Sequence, residues 1–109
     1  MTAVYTFTAT STPVPDQFFI SRNVFTPDSP VKISVGISRV PGHYDLTIYN
    51  SAGEHIKTLD DQYLESSFAY TYTWDGKNKY GAPCAAGIYV VYATYPFKRL
   101  LGRVILLHK

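Results

Sequence analysis

Cysteine is almost missing from this sequence, with Cys84 alone among 109 residues. A lone thiol closes no intrachain disulfide and builds no Cys-cluster metal site. It ordinarily goes with a reducing compartment, although it does not forbid export. Charge is scarce as well, at 17% charged residues and a net charge of +2. That balance is too small to argue for nucleic acid or for an anionic membrane surface as partner. With 46% apolar residues, the same scarcity excludes disorder driven by charge and low hydrophobicity. No apolar run approaches the roughly 20 residues of a membrane span, so no membrane insertion is expected. Residues 1–5 lack a basic stretch followed by an apolar one, so no secretory signal is expected in this chain. A cytosolic chain, export without a cleaved signal, or Met1 added to an excised domain all remain open. Helical periodicity is missing too.

What is present is β chemistry. Ten tyrosines, with many Thr and Val, suit a pleated, half-buried surface and lose rotamer freedom in a helix. Period-2 alternation recurs along the chain. Residues 4–10 alternate with Tyr5 and Phe7 on one face. Pro13 and Pro15 then set this segment off from the body as an extended linker. Residues 17–22 read as a short strand, and residues 23–30 as a loop carrying one core residue, Phe25.

Ile33, Val35 and Ile37 share one face of the next strand, and Pro41-Gly42 marks a turn. Tyr44, Leu46 and Ile48 form another inward face, which ends at the Asn50-Ser51-Ala52-Gly53 turn. Ile56 and Leu59 belong to a short strand, with residues 60–67 expected as a polar connection. Phe68, Tyr70, Tyr72 and Trp74 give the cleanest alternation. After a turn-rich loop over residues 75–87, residues 87–96 read as a central strand covered on both faces, and residues 100–108 as the last strand. The reading is one all-β domain: residues 1–16 as N-terminal strand and linker, residues 17–109 as a sandwich of about seven to eight strands.

From Phe25 onward the order of features resembles a known family. Phe25-Thr26-Pro27 comes first, then Leu46-Thr47-Ile48-Tyr49-Asn50-Ser51-Ala52-Gly53 and Ile56 to Leu59. Tyr72-Thr73-Trp74-Asp75-Gly76, Gly81-Ala82-Pro83 and Ala86-Gly87-Ile88-Tyr89 complete the series. This is similar to the immunoglobulin-like domain of the flagellar hook-capping protein family. It is similar also to C-terminal modules of secreted bacterial proteins of the type IX sorting kind. The resemblance implies an immunoglobulin-like antiparallel sandwich, extracellular or exported, that serves as a scaffold or capping module. Each piece has a physical reason. Gly53 and Gly76 suit turns with Asn or Asp nearby, Gly81 is a further turn glycine, and Gly87 lets a strand enter at a crowded corner. Trp74 fills a core with no disulfide to pack on. The sequence departs from the pattern at Asp28-Ser29-Pro30, which is too poor in oxygen donors for the cation loop of many relatives.

A search for chemistry finds none assembled. His43, His55 and His108 are scattered over different segments. Lys77 and Lys79 stand where a calcium loop needs oxygen donors. Cys84 has no general base in pattern, and Ser66-Ser67 and Ser11 have no elbow motif. Asp60, Asp61 and Glu65 read as a solvated acidic face, and Lys98, Arg99 and Arg103 as a modest basic edge. No catalytic residue, metal or cofactor is assigned. The core is expected from Phe25, Ile33, Val35, Ile37, Leu46, Ile48, Trp74 and Tyr89. Tyr5, Phe7, Tyr80, Lys98 and Arg99 are the candidate partner-binding residues. The expected function is a structural, protein-interaction module whose partners are other proteins or copies of itself. A subunit assembling by strand exchange through residues 4–10 is the alternative. A carbohydrate-binding module using Tyr80 beside Asn78 is a second.

Overall fold

The computed structural model describes residues 16–108. The segment over residues 4–10, with Tyr5 and Phe7, lies outside them. The described residues contain no helix and form eight strands: β1 (Gln17–Ile20), β2 (Val24–Phe25), β3 (Val31–Ile37), β4 (Gly42–Asn50), β5 (His55–Leu64), β6 (Phe68–Trp74), β7 (Gly87–Thr94) and β8 (Arg99–Leu106). They make an immunoglobulin-like sandwich of two sheets, ordered β1-β3-β6 and β2-β8-β7-β4-β5. All pairings are antiparallel except β2 with β8.

Alternation explains why the sheets face each other. Val31, Ile33, Val35 and Ile37 of β3 are buried, and so are Tyr44, Leu46 and Ile48 of β4, Tyr89, Val91 and Ala93 of β7, and Val104 and Leu106 of β8. Burying one side of each pleat removes these side chains from water at about 25 cal/mol per Å² of apolar surface. Trp74 sits at 0% exposure, with its ring 5.3 Å from those of both Phe25 and Tyr89. Its indole N–H donates to the Lys77 carbonyl at 2.9 Å, so the one polar atom of the ring is satisfied.

Three details differ from the sequence reading. Strand β5 runs on through Leu64, where a polar connection from Asp60 was expected. Two register irregularities against β4 let Asp60 and Gln62 stay in the ladder at a sheet edge. There the Asp60 carboxylate accepts from the Tyr72 hydroxyl, and Gln62 donates to the same carboxylate. The loop around Phe25 contains the two-residue strand β2, because Ile105 N–H reaches the Asn23 carbonyl and Leu107 N–H the Phe25 carbonyl. Strand β7 is central, but its outer face is not fully covered, and Ile88 is 48% exposed.

Candidate functional site

The two outer faces of the sandwich differ in chemistry. On the three-stranded sheet, Lys32, Ser34 and Gly36 of β3 lie beside Thr73, Thr71 and Ala69 of β6. Ser34 and Thr71 share a hydrogen bond of 3.0 Å. Apart from Phe19 on the short β1, this face is polar, as a solvated sheet surface should be.

The outer face of the five-stranded sheet is apolar and basic over β2, β8 and β7, while Asp45 of β4 and Asp61 of β5 extend the row of Arg99 and Thr94 with carboxylates. Because Val104 and Leu106 point inward, Arg99, Leu101, Arg103 and Ile105 of β8 point outward. Register places Val24, Ile105 and Ile88 in one row across three strands. The next row is Arg103, Val90 and Tyr49, followed by Leu101, Tyr92 and Thr47. Val24, Ile88, Leu101 and Ile105 all rank among the exposed large hydrophobics. Tyr49 packs edge-on against Tyr92 at 6.2 Å between centroids, and Thr47 beneath them is buried. Single exposed hydrophobics are ordinary, but a contiguous set on one sheet face marks a contact surface. Among the described residues, neither Arg99 nor Arg103 has a carboxylate within ion-pair distance.

At the edge of this face, β2 lies beside only Ile105 and Leu106 of β8. Upstream, from Arg99 to Val104, no described strand pairs with that side of β8. Ile20 and Phe18 of β1 lie over it from the opposite sheet, close enough that a Cβ on Gly102 would fall 2.4 Å from Ile20 Cδ1.

The candidates named from sequence are spread apart. Tyr80 is 82% exposed in the β6–β7 loop, at the end of the sandwich where β7 begins. Lys98 and Arg99 lie at the other end of β7, which is eight residues long, or about 26 Å. Lys98 pairs with Asp16 at 3.2 Å. The Asp16 carboxyl also accepts from the backbone N–H and the hydroxyl of Ser38. The Ser38 N–H first, and Lys98 with it, hold that carboxyl below its ordinary value against the cost of burial. Arg99 stands on the apolar-basic face. The exposed residues Val24, Ile88, Leu101 and Ile105 were missed in sequence: Val24 fell in a segment read as a loop, Ile88 in a strand read as covered on both faces, and the last strand was given no outward face.

Other corners of the molecule hold no assembled chemistry. A shallow cleft of about 500 Å³ lies beside the β7–β8 turn and is lined by His43, Phe97, Lys98 and Arg99 among others. His43 Nε2 is already 2.9 Å from Asp61 Oδ1, and Lys98 is held by Asp16. Burial pushes the Cys84 thiol up, away from the thiolate that a nucleophile needs. His108 spends Nε2 on the Cys84 carbonyl, at 2.8 Å. Among the described residues no group of three or more His, Cys, Asp or Glu is placed to hold a metal ion. No helix there is long and apolar enough to cross a membrane.

Comparison with known proteins fits this geometry. The family model of the FlgD Ig-like domain matches residues 21–96. No curated protein matches the chain. One similar solved structure is PorZ of Porphyromonas gingivalis, described as an essential bacterial surface component of the type-IX secretion system. It is 19% identical, with a TM-score of 0.52, over 83% of this chain and 11% of PorZ. At that identity the likeness is one of fold, and the chain spans about a tenth of the length of PorZ.

Proposed function

The chain belongs to the FlgD Ig-like domain family, and on that premise we propose that it is a non-catalytic docking module of an exported bacterial protein or assembly. The observation that carries this reading is the outer face of the five-stranded sheet. Val24, Ile88, Leu101 and Ile105 form its apolar centre, and Arg99 and Arg103, without a carboxylate partner among the described residues, sit within it. An apolar centre with guanidinium groups is the composition of a protein contact rather than of a substrate pocket. The rigid core behind it, from Phe25 through Trp74 to Tyr89, fixes the backbone on which those side chains are displayed. The surface matched to it is another protein surface, apolar at its centre and bearing carboxylates opposite Arg99 and Arg103. PorZ, which carries a domain of this fold, is a component of a bacterial secretion system, and an exported setting for this chain rests on that likeness together with the family.

The test is a pair of variants assayed in the assembly that contains the domain. Leu101→Glu with Ile88→Glu should leave the melting temperature within a few degrees, since both side chains are already solvent-facing. The same pair should abolish incorporation of the domain into its assembly. Thr71→Glu with Thr73→Glu on the opposite face should leave incorporation intact. Equal loss from both pairs, or from neither, would overturn the reading.

A further inference from the structure

We infer that the surface docked on the outer face of the five-stranded sheet is the same face of a second copy of this chain, related by a twofold axis parallel to the strands. The inference rests on the docking reading above and names its partner.

The charges on this face are separated as self-pairing requires. Register sets rows across β8, β7, β4 and β5, and one of them reads Arg99, Thr94, Asp45 and Asp61. Its basic end lies on β8 and its acidic end on β4 and β5. The next row reads Leu101, Tyr92, Thr47 and Thr58, and the third Arg103, Val90, Tyr49 and His55. His43 holds the acidic end in place, with Nε2 2.9 Å from Asp61 Oδ1 and 3.5 Å from Asp45 Oδ2. The Asp61 side chain is still 60% exposed, so its carboxylate keeps room for a second donor. All eight Asp and Glu of the sequence fall within residues 16–108. Among these described residues none is within ion-pair distance of Arg99 or Arg103. A carboxylate side chain for either arginine therefore comes from another molecule.

Symmetry selects the arrangement. An isologous contact sets one patch against itself, so the patch must be self-complementary. Turning a second sheet over about an axis parallel to the strands, between β7 and β4, sets β8 of one copy on β5 of the other. Each row then faces itself reversed. Arg99 opposes Asp61 of the second copy, twice by symmetry, and Leu101, Tyr92 and Val90 face Thr58, Thr47 and Tyr49. Packed sheets stand about 10 Å apart, a gap that an arginine and an aspartate span together. An axis across the strands would instead set β8 on β8 and β5 on β5, with like charges opposed. The ion pairs fix the register, while the apolar rows supply the affinity.

The area suits a reversible pair. Four strands about 4.8 Å apart and about 26 Å long present about 500 Å² on each copy. Two such faces bury on the order of 1,000 Å², the lower end of the range for specific contacts.

Sedimentation velocity on the full chain provides the test, from about 10 μM to about 1 mM, the span of a weak pair. The chain should pass from monomer to dimer over that span. Arg99→Asp alone and Asp61→Arg alone should each raise the dissociation constant roughly tenfold or more, because each sets like charges together twice. Both side chains are exposed, so melting temperatures should stay within a few degrees. An equimolar mixture of the two variants should dimerise again, since each copy supplies the charge that the other lacks. The inference is overturned if the unmodified chain stays monomeric throughout, if the charge reversals leave its association unchanged, or if the mixture does not restore it. A monomer whose incorporation is still lost through Leu101→Glu with Ile88→Glu overturns self-pairing alone and places a different protein on the docking face.

Discussion

Tyr72 on β6 donates its hydroxyl proton to Oδ2 of Asp60 on β5 and accepts one from Tyr44 at 3.0 Å. Strands β5 and β6 are the edges of opposite sheets, so this chain of hydrogen bonds closes one side of the sandwich. Gln62 adds a further donor to the same carboxylate at 2.8 Å. A hydrogen bond to a charged acceptor contributes about 1.5–3 kcal/mol, more than a neutral one. Tyr72→Phe should therefore cost more in urea unfolding than Tyr44→Phe. The double variant should cost less than the sum, because removing Tyr72 already strips Tyr44 of its acceptor. Strict additivity would show that the two hydroxyls act independently.

Alkaline pH should unfold the protein through the same tyrosines. Burial, chiefly, pushes the Tyr95 hydroxyl up to about 12 and those of Tyr44 and Tyr72 higher still. In the unfolded chain all three titrate near about 10. Above that pH the unfolded state loses protons that the native state keeps, so stability falls as pH rises. The loss runs from about pH 10 to about 12 for Tyr95 and continues beyond for the other two. Each tyrosine contributes about 1.4 kcal/mol per pH unit within its window. Urea midpoints at pH 9, 10 and 11 should fall steeply over the last step. Tyr95→Phe should flatten that slope, and an unchanged slope would contradict the assignment.

Gly76 and Gly53 separate backbone cost from crowding. Both have φ of +86°, where an L side chain is strained by about 1–2 kcal/mol. A Cβ at Gly76 would also stand 3.1 Å from Leu106 Cδ1, whereas at Gly53 it meets nothing within 4 Å. Gly76→Ala should thus destabilise more than Gly53→Ala in thermal unfolding. Shortening the neighbour with Leu106→Val should narrow the gap. Equal costs would mean that Leu106 yields freely.

Much of the fold was legible in sequence because burial follows the period of the strand. Ile33, Val35 and Ile37 alternate cleanly, and Trp74 and Phe25 are large apolar residues beside turn signals, so inward faces could be read directly. Strand β5 was misread beyond Leu59 because Asp60 and Gln62 are polar. Asp60 is partnered there by Tyr72, a residue of the other sheet, and Gln62 by Asp60 in turn, which no local pattern reveals. The proposed docking face was hidden for the opposite reason. Strand β7 is apolar on both sides, and sequence does not distinguish a second buried face from an exposed one. Only the register that sets Ile88 beside Ile105 and Val24 shows that nothing described covers them. Arg99 was legible as part of a basic edge, but its place within an apolar surface was not.

The central claim is that this domain works through the outer face of its five-stranded sheet. Photocrosslinking in the producing cell tests it most directly, with a benzophenone side chain placed singly at Leu101, Ile88, Thr71 or Tyr80. The account predicts defined protein adducts from Leu101 and Ile88, lost when Arg99 and Arg103 are both changed to Glu, and none from Thr71 or Tyr80. Adducts from Thr71 or Tyr80 with none from Leu101 and Ile88 would contradict it.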